Sequence, residues 1–290
     1  MLPWKAEKGM SEKTMKLLKR RSKTQDGIVL HTASDFEGMR KAGHVAAQIL
    51  DDLCERVVPG VTTAALDRFV VSRIRAHKVK SATIGYRGYR HATCISVNYV
   101  ACHGIPGSYR LVPGDIVNID VTIIRDGWHG DSSRMYVVGK PKEADLRLIQ
   151  VTHDALFRGL EQIRPGRTFG DLGSAVEAHV KKHHMAVVKI FSGHGLGRKF
   201  HQKPNVVHFG QPNEGPVFVE GMFFTVEPIV SLGDTEIIFR ADRWTAVTKD
   251  RSRTAQFEHT VGVTRDGMEI FTLSPTDRFH PTNYQLPVQV

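Results

Sequence analysis

The chain has 290 residues, 41% of them hydrophobic, and a formal net charge of +10; it is long enough to bury a large core as one domain or two small ones. No apolar run approaches the roughly 20 residues that span a bilayer, and the N-terminus lacks the apolar stretch of a secretory signal, so a soluble protein is expected. Cys54, Cys94 and Cys102 are odd in number and form no CxxC pair, which argues against a disulfide framework and a zinc finger and fits a reducing cytoplasm.

In chain order, residues 1–26 come first, with eight Lys/Arg between Lys5 and Lys23 against Glu7, Glu12 and Asp26, a net +5 and half of the total. Such a segment reads either as a solvated or disordered tail or as an electrostatic arm for nucleic acid, here ribosomal RNA. The expected organisation is therefore a basic, flexible extension over 1–27, one fused domain over 28–273 and a C-terminal tail over 274–290, where Pro275, Pro281 and Pro287 allow coil at most. Ser34-Asp35-Phe36-Glu37 has the form of a capping box and predicts a helix to about Val57, with Phe36, Met39, Ile49, Leu50 and Leu53 in its buried stripe. A second helix is predicted from about Thr63 to His77, then strands over about 92–102.

Val117 to Asp131 is the most informative stretch. Asp126-Gly127 lies between β-branched runs and is a strong signal for a two-residue hairpin turn. Counting back from that turn sets Arg125 opposite Trp128 and Asp131 opposite Thr122, and Thr122 shares a strand face with Asp120. Asp120 and Asp131 are thus diagonal neighbours on one face. Two ionised carboxylates that close in apolar surroundings repel unless a cation sits between them, and a metal ion is a fitting partner. Helices are predicted near 142–163 and 169–184, and strands near 186–192, 222–230, 235–240 and 256–264.

The chain repeats itself. Pro59-Gly60-Val61-Thr62 returns as Pro165-Gly166-Arg167-Thr168, each threonine placed as a helix N-cap, at an offset of 106. Gly114 followed by Asp120 returns as Gly221 followed by Glu227, at an offset of 107. Two motifs in the same order at nearly one offset predict a duplicated α+β unit. A pseudo-twofold would then bring Glu227 to the place of Asp120 and Glu258 near that of Asp131, so that four carboxylates converge. His103 and His194 are each followed by glycine, and His201 comes soon after; glycine lets an imidazole approach a site closely, although a lone histidine in a glycine-rich loop is usually just a loop residue. An acid inside an apolar strand such as Phe223 to Ile229 is harder to set aside, because a buried unpaired carboxylate is costly. Four carboxylates and an imidazole suit two divalent first-row ions, with Mn, Fe, Co and Zn all compatible by ligand type. A thiolate dyad at Cys102-His103 is disfavoured, since adjacent strand side chains point to opposite faces.

These residues resemble one family, the type I methionine aminopeptidases, through VACHGIPG, VNIDVT, WHGDSSRMYVVG, SGHGLGRKFHQKPNV, GMFFTVEP and AQFEHTVGVT, over roughly residues 28–273. The resemblance implies the α+β, duplicated "pita-bread" (creatinase/aminopeptidase) fold, an antiparallel sheet covered by helices. It implies a dinuclear site held by Asp120, Asp131, His194, Glu227 and Glu258, with Asp131 and Glu258 bridging and Glu227 also shuttling a proton. It implies that His201 polarises the scissile carbonyl and that His103 contacts the amide nitrogen. A methionine pocket is implied from Tyr86, Tyr89, Cys94, Phe200 and Trp244, with plain core packing the alternative for each aromatic taken singly. Asn98, Val100 and Thr254 match a monovalent cation site. The expected substrate is the N-terminal methionine of nascent polypeptides with a small second residue, and the enzyme is expected to be cytoplasmic and monomeric. Prolidase and aminopeptidase P share the fold but carry a large additional N-terminal domain, for which about 27 residues are too few.

Overall fold

The computed structural model describes residues 23–276. Residues 1–22 of the expected basic extension, and 277–290 of the expected tail, lie outside the described residues. The last residues of the extension are tied to the domain: Lys23 bridges Val29, Gly27 N–H donates to the Thr24 carbonyl at 3.0 Å, and Lys203 Nζ donates to the Asp26 carbonyl at 3.2 Å.

Among the described residues, four helices accompany fifteen strands. The helices are α1 (Ala33–Asp52), α2 (Thr63–Ala76), α3 (Glu143–Leu160) and α4 (Phe169–Lys182). The strands of the first half are β1 (Lys80–Ser81), β2 (Thr93–Val97), β3 (Val100–Cys102), β4 (Ile116–Arg125) and β5 (Trp128–Val137). Then follow β6 (Ala186–Val187), β7 (Gly193–Gly195), β8 (Gln202–Val206), β9 (Phe223–Val226) and β10 (Ile229–Ser231). The last are β11 (Ile237–Phe239), β12 (Ala246–Thr248), β13 (Thr254–Gln256), β14 (His259–Val263) and β15 (Met268–Ile270).

Helix α1 begins at Thr32 and not at Ser34. Thr32 has the extended backbone of an N-cap, Asp35 stands at the third helical position, and its carboxylate accepts from Thr32 N–H at 2.8 Å. Ser34 only shares its hydroxyl with Thr32, and Glu37 turns to Arg40. The helix stops at Asp52, five residues short of the expected end, in turns closed by Val57 N–H donating to the Leu53 carbonyl. Its expected stripe of Phe36, Met39, Ile49, Leu50 and Leu53 is buried against β4 and β5. The approach is close: a Cβ on Gly130 of β5 would lie 2.5 Å from the Ala42 carbonyl.

Strand β4 is central in the first sheet, with β5 on one side and β2 and β1 on the other, all antiparallel. The hairpin has the expected register, Arg125 opposite Trp128 and Thr122 opposite Asp131, and its turn residues Asp126 (φ 51°) and Gly127 (φ 81°) take the left-handed backbone of a type I′ turn. The second half builds a five-stranded sheet in the order β15-β14-β9-β7-β8. Two three-stranded sheets, β13-β10-β6 and β11-β12-β3, complete the set.

The duplication is visible in the backbone. Thr62 and Thr168 both cap helices, and they form matching bridges, Thr62 to Arg110 and Thr168 to Val217. Gly114 (φ 92°) and Gly221 (φ 91°) make the same left-handed turn before the two acid-bearing strands. The halves join where β5 runs beside β14: Glu258 N–H donates to the Ser133 carbonyl at 3.1 Å, Ser132 Oγ donates to the Glu258 carbonyl at 2.7 Å, and Thr260 Oγ1 donates to the Asp131 carbonyl at 2.6 Å. This seam brings the acids of both halves together. No helix of the described residues is long and apolar enough to cross a membrane.

Candidate metal centre

Each acid sits on a strand or just beyond one. Asp120 is on β4, Asp131 on β5, Glu227 follows β9 and Glu258 precedes β14; His194 is the middle residue of β7. All five line one cavity of about 460 Å³ at the seam between the halves. Ligand atoms of Asp131, His194 and Glu258 lie within 4.8 Å of one another.

Hydrogen bonds fix these side chains in place. Thr122, opposite Asp131 in the hairpin, donates its hydroxyl to Asp131 Oδ1 at 2.6 Å. Thr225 Oγ1 accepts from His194 N–H at 3.0 Å and donates to Glu227 Oε1 at 2.8 Å, while Gln256 Nε2 donates to Glu227 Oε2 at 3.2 Å. His208, a buried imidazole, accepts the backbone N–H of Glu227 on Nε2 at 2.9 Å. Gly193 and Gly195 flank His194 because β7 is squeezed between neighbours: a Cβ on either would run into the carbonyl of Thr225 or Lys203. His194 Nδ1 lies 3.2 Å from the Gly195 carbonyl and donates to it, which leaves Nε2 facing Asp131 Oδ2 at 3.5 Å and Glu227 Oε1 at 3.9 Å.

The cluster is short of positive charge. Burial pushes the Asp120 carboxyl well above its usual range, and Asp131 and Glu227 push it further. Glu258 is raised by burial and then by Asp131, Glu227 and Asp120, and burial is the main cause that lifts Glu227 to about 7. Burial opposes protonation of His194, but the hydrogen bond to Asp131 and the charge of Glu227 outweigh it and raise the imidazole. Asp120 Oδ1 is buried with no hydrogen-bond partner. An orphaned carboxylate oxygen among three other acids fits a divalent ion, which would accept its lone pair and offset the crowded charge.

Around this cluster lie the other expected residues. His201 packs on His194 with ring centroids 4.0 Å apart and stacks on Tyr86 at 5.2 Å; burial, then His194, lowers its pKa to about 4, so it is neutral at pH 7. His103 is nearly enclosed, edge-on to Phe191 and Trp244, and burial lowers its pKa. Tyr86, Tyr89, Cys94, Phe200 and Trp244 all line the cavity, with Tyr89 against Trp244 at 4.9 Å and Tyr86 against Phe200 at 4.9 Å. Thr254 Oγ1 lies 3.3 Å from the Asn98 carbonyl and 3.2 Å from that of Val100, so those three positions also meet.

Within this cavity one expectation is corrected. Cys102 and His103 do not diverge to opposite faces: strand β3 ends at Cys102, His103 turns at φ 54°, and both line the cavity. Burial holds the Cys102 thiol well above its ordinary pKa, so it is no thiolate nucleophile for that reason. Thr225, Gln256, His208, Phe191 and Arg87 are not among the sequence-derived candidates. Thr225 stands two residues before Glu227, as Thr122 stands two after Asp120, and the period of a strand marks both as neighbours of an acid. For His208 and Phe191 the sequence carries no local signal.

The profile of metallopeptidase family M24 matches residues 37–265. The chain belongs to this family. The methionine aminopeptidase of Rickettsia prowazekii is 48% identical over 255 residues, 88% of this chain and 98% of the relative, and that of Escherichia coli K12 is 45% identical over 253 residues, 86% and 96% of the two chains. The crystal structure of the Rickettsia prowazekii methionine aminopeptidase superposes with a TM-score of 0.84, covering 85% of this chain and 100% of that one. Prolidase from Pyrococcus furiosus, at 22% identity and a TM-score of 0.66, shares the fold alone, and the match covers 74% of its length. The architecture is thus the pita-bread arrangement of M24 enzymes, and the chain is a metal-dependent hydrolase of that family.

Proposed function

We propose that this M24 hydrolase removes the N-terminal methionine from nascent polypeptides whose second residue is small, using two divalent ions, Co, Mn, Fe or Zn, held by Asp120, Asp131, His194, Glu227 and Glu258. The observation that carries this reading is the orphaned, buried Asp120 oxygen among four acids, two buried and two half-buried, and one imidazole, which share one cavity with aromatic side chains. Two such ions, when bound, supply Lewis acidity that activates water and stabilises charge developing on the carbonyl oxygen.

The chain's own residues do the rest. Tyr86, Tyr89, Cys94, Phe200 and Trp244 enclose the methionine side chain, a flexible and polarisable group suited to apolar walls. A free α-amino group reaches the acids only when the peptide's first residue fills this pocket, which makes the activity that of an exopeptidase. His201, neutral near pH 7, donates to the scissile carbonyl oxygen. Glu227, oriented by Thr225 and Gln256, takes the proton of the attacking water and passes it toward the amide nitrogen, where His103 holds the leaving amine as the C–N bond breaks. Asp131 and Glu258 would each be shared between the two ions. Residues 28–273 act as the catalytic domain of a cytoplasmic monomer, a monovalent cation sits near Asn98, Val100 and Thr254, and the basic segment 1–27 holds the enzyme near ribosomal RNA.

The test uses metal-stripped protein reloaded with Mn(II) and the peptides Met-Ala-Ser and Leu-Ala-Ser. Release of methionine from the first, with little leucine from the second, is expected. Equal cleavage of both, or cleavage by the stripped protein, contradicts the reading.

A further inference from the structure

Among the side chains that line the cavity, Arg87 is the one lysine or arginine, and it is exposed at the mouth. Its backbone is unusual. Arg87 lies at φ 47° between Gly85 at φ 89° and Gly88 at φ 85°. A residue other than glycine in the left-handed region costs on the order of 1 kcal/mol or more, and such outliers gather where a side chain is being aimed. A glycine would relax this turn; an arginine occupies it.

The guanidinium has no acid to answer. It lies over the Tyr86 ring at 5.4 Å and forms no ion pair among the described residues. Tyr86 in turn stacks on His201, so Arg87 stands one residue outward from the imidazole that faces the scissile carbonyl. Ser192, Gln202 and Asn205, which also line the cavity, are neutral. The cleft is therefore polarised, with four acids at its floor and one unpaired cation at its mouth. A peptide entering by its ammonium end places its later residues beside that cation. An extended chain advances about 3.3 Å per residue, so with a small second residue inside the cleft, the third is the first whose side chain reaches the mouth.

We propose that Arg87 is a specificity residue for this reaction, favouring substrates with Asp or Glu as the third residue over those with Lys or Arg there. The inference rests on the methionine-removal reading above. An ion pair in this exposed setting contributes little, and attraction of an acid and repulsion of a base together amount to a preference of about threefold or more at low salt. Because the contact is made both before and during reaction, it appears in KM more than in kcat.

The experiment compares C-terminally amidated Met-Ala-Glu-Ser, Met-Ala-Gln-Ser and Met-Ala-Lys-Ser with the Mn(II)-loaded full chain, at low ionic strength and in about 0.5 M NaCl, where the screening length falls to a few ångströms. The expected Glu-over-Lys ratio of kcat/KM is about threefold or more at low salt and collapses in high salt. It is retained in Arg87→Lys, falls to near one in Arg87→Gln and inverts in Arg87→Glu. Ratios within each variant are insensitive to a loss of folded enzyme. A wild-type ratio near one at low salt, a ratio that ignores salt, or a preference that survives in Arg87→Gln overturns the assignment of Arg87. Failure to cut Met-Ala-Gln-Ser at all strikes instead at the methionine-removal reading.

Discussion

Strand β5 buries acids on both of its faces and treats them in opposite ways. On one face Arg134 pairs with Asp51 at the end of α1, and Ser274 and Thr276 donate their hydroxyls to the same carboxylate at 2.8 Å. On the other face Asp131 meets Asp120, Glu227 and Glu258, with His194 as the one basic side chain among them and an Asp120 oxygen left without a partner. Buried carboxylates elsewhere follow the first pattern: Asp145 is paired with Arg253, and Asp67 accepts from Ala92 N–H, Thr93 N–H and Thr93 Oγ1. Burial of an acid is therefore a structural device in this chain. A surplus of acid over cation is what marks the functional site.

The largest effect should come from breaking the surplus. On the proposed reading Asp131 serves both ions, so in Asp131→Asn turnover of a Met-Gly-Met peptide should fall about 10³-fold or more together with metal content, since such ions contribute several kcal/mol. Normal loading with the parent rate would misplace the site. Breaking the balanced face should do the reverse. Arg134→Met leaves Asp51 buried without its cation and should cost about 3–5 kcal/mol in denaturant unfolding, while the folded fraction keeps its kcat/KM. A variant of parental stability would show that the pair contributes nothing.

A smaller effect separates the acids from the histidines above them. His201→Ala and His103→Ala should lower kcat about 10²-fold with both ions retained, because on the proposed mechanism these groups act as charge develops. Loss of metal by elemental analysis would move that histidine among the ligands. The subtlest contrast is in pH. In metal-free protein the raised Asp120, Glu258 and Glu227 carboxyls hold protons that an unfolded chain has released by about pH 4.3. These three groups thus bind more protons in the native state than in the unfolded one, and their own contribution to stability falls as pH rises from there through about 7, where Glu227 ionises. The buried imidazoles of His201, His208 and His259, lowered by burial, contribute in the opposite sense up to about pH 6.5. Measured against metal-free Glu227→Gln, which lacks one of these protons, the melting temperature of the metal-free parent should fall between pH 5 and pH 7.5, and Mn(II) should restore it at the higher pH only. A parent that gains stability relative to Glu227→Gln over this range would contradict the crowding of the acids.

The same contrast explains what was legible in the sequence. The β4–β5 register follows from Asp126-Gly127, which dictates its own turn, and the threonine caps at Thr62 and Thr168 follow from short local patterns. The pairing of acids across the halves rests on the 107-residue echo between Gly114 and Gly221, whose left-handed backbones match. Strands β8 and β12 are not evident, because Gln202–Val206 is polar and contains Pro204, and Ala246–Thr248 is too short to show a period. Only the first two residues of the strand expected over 186–192 are extended in a sheet. Nor does any local pattern join Asp51 to Arg134 and Ser274, which are brought together by the packing of α1 on β5 and the return of the chain after β15.

The central claim is that the unbalanced acid cluster is a two-ion site. Calorimetric titration of metal-free protein with Mn(II) at pH 7.5, in two buffers of different ionisation enthalpy, tests it most directly. Two ions bound per chain are expected, with protons released as the raised carboxyls become ligands and methionine release from Met-Ala-Ser rising in step with occupancy. Binding that releases no protons, or that is unchanged in Asp131→Asn, would contradict it.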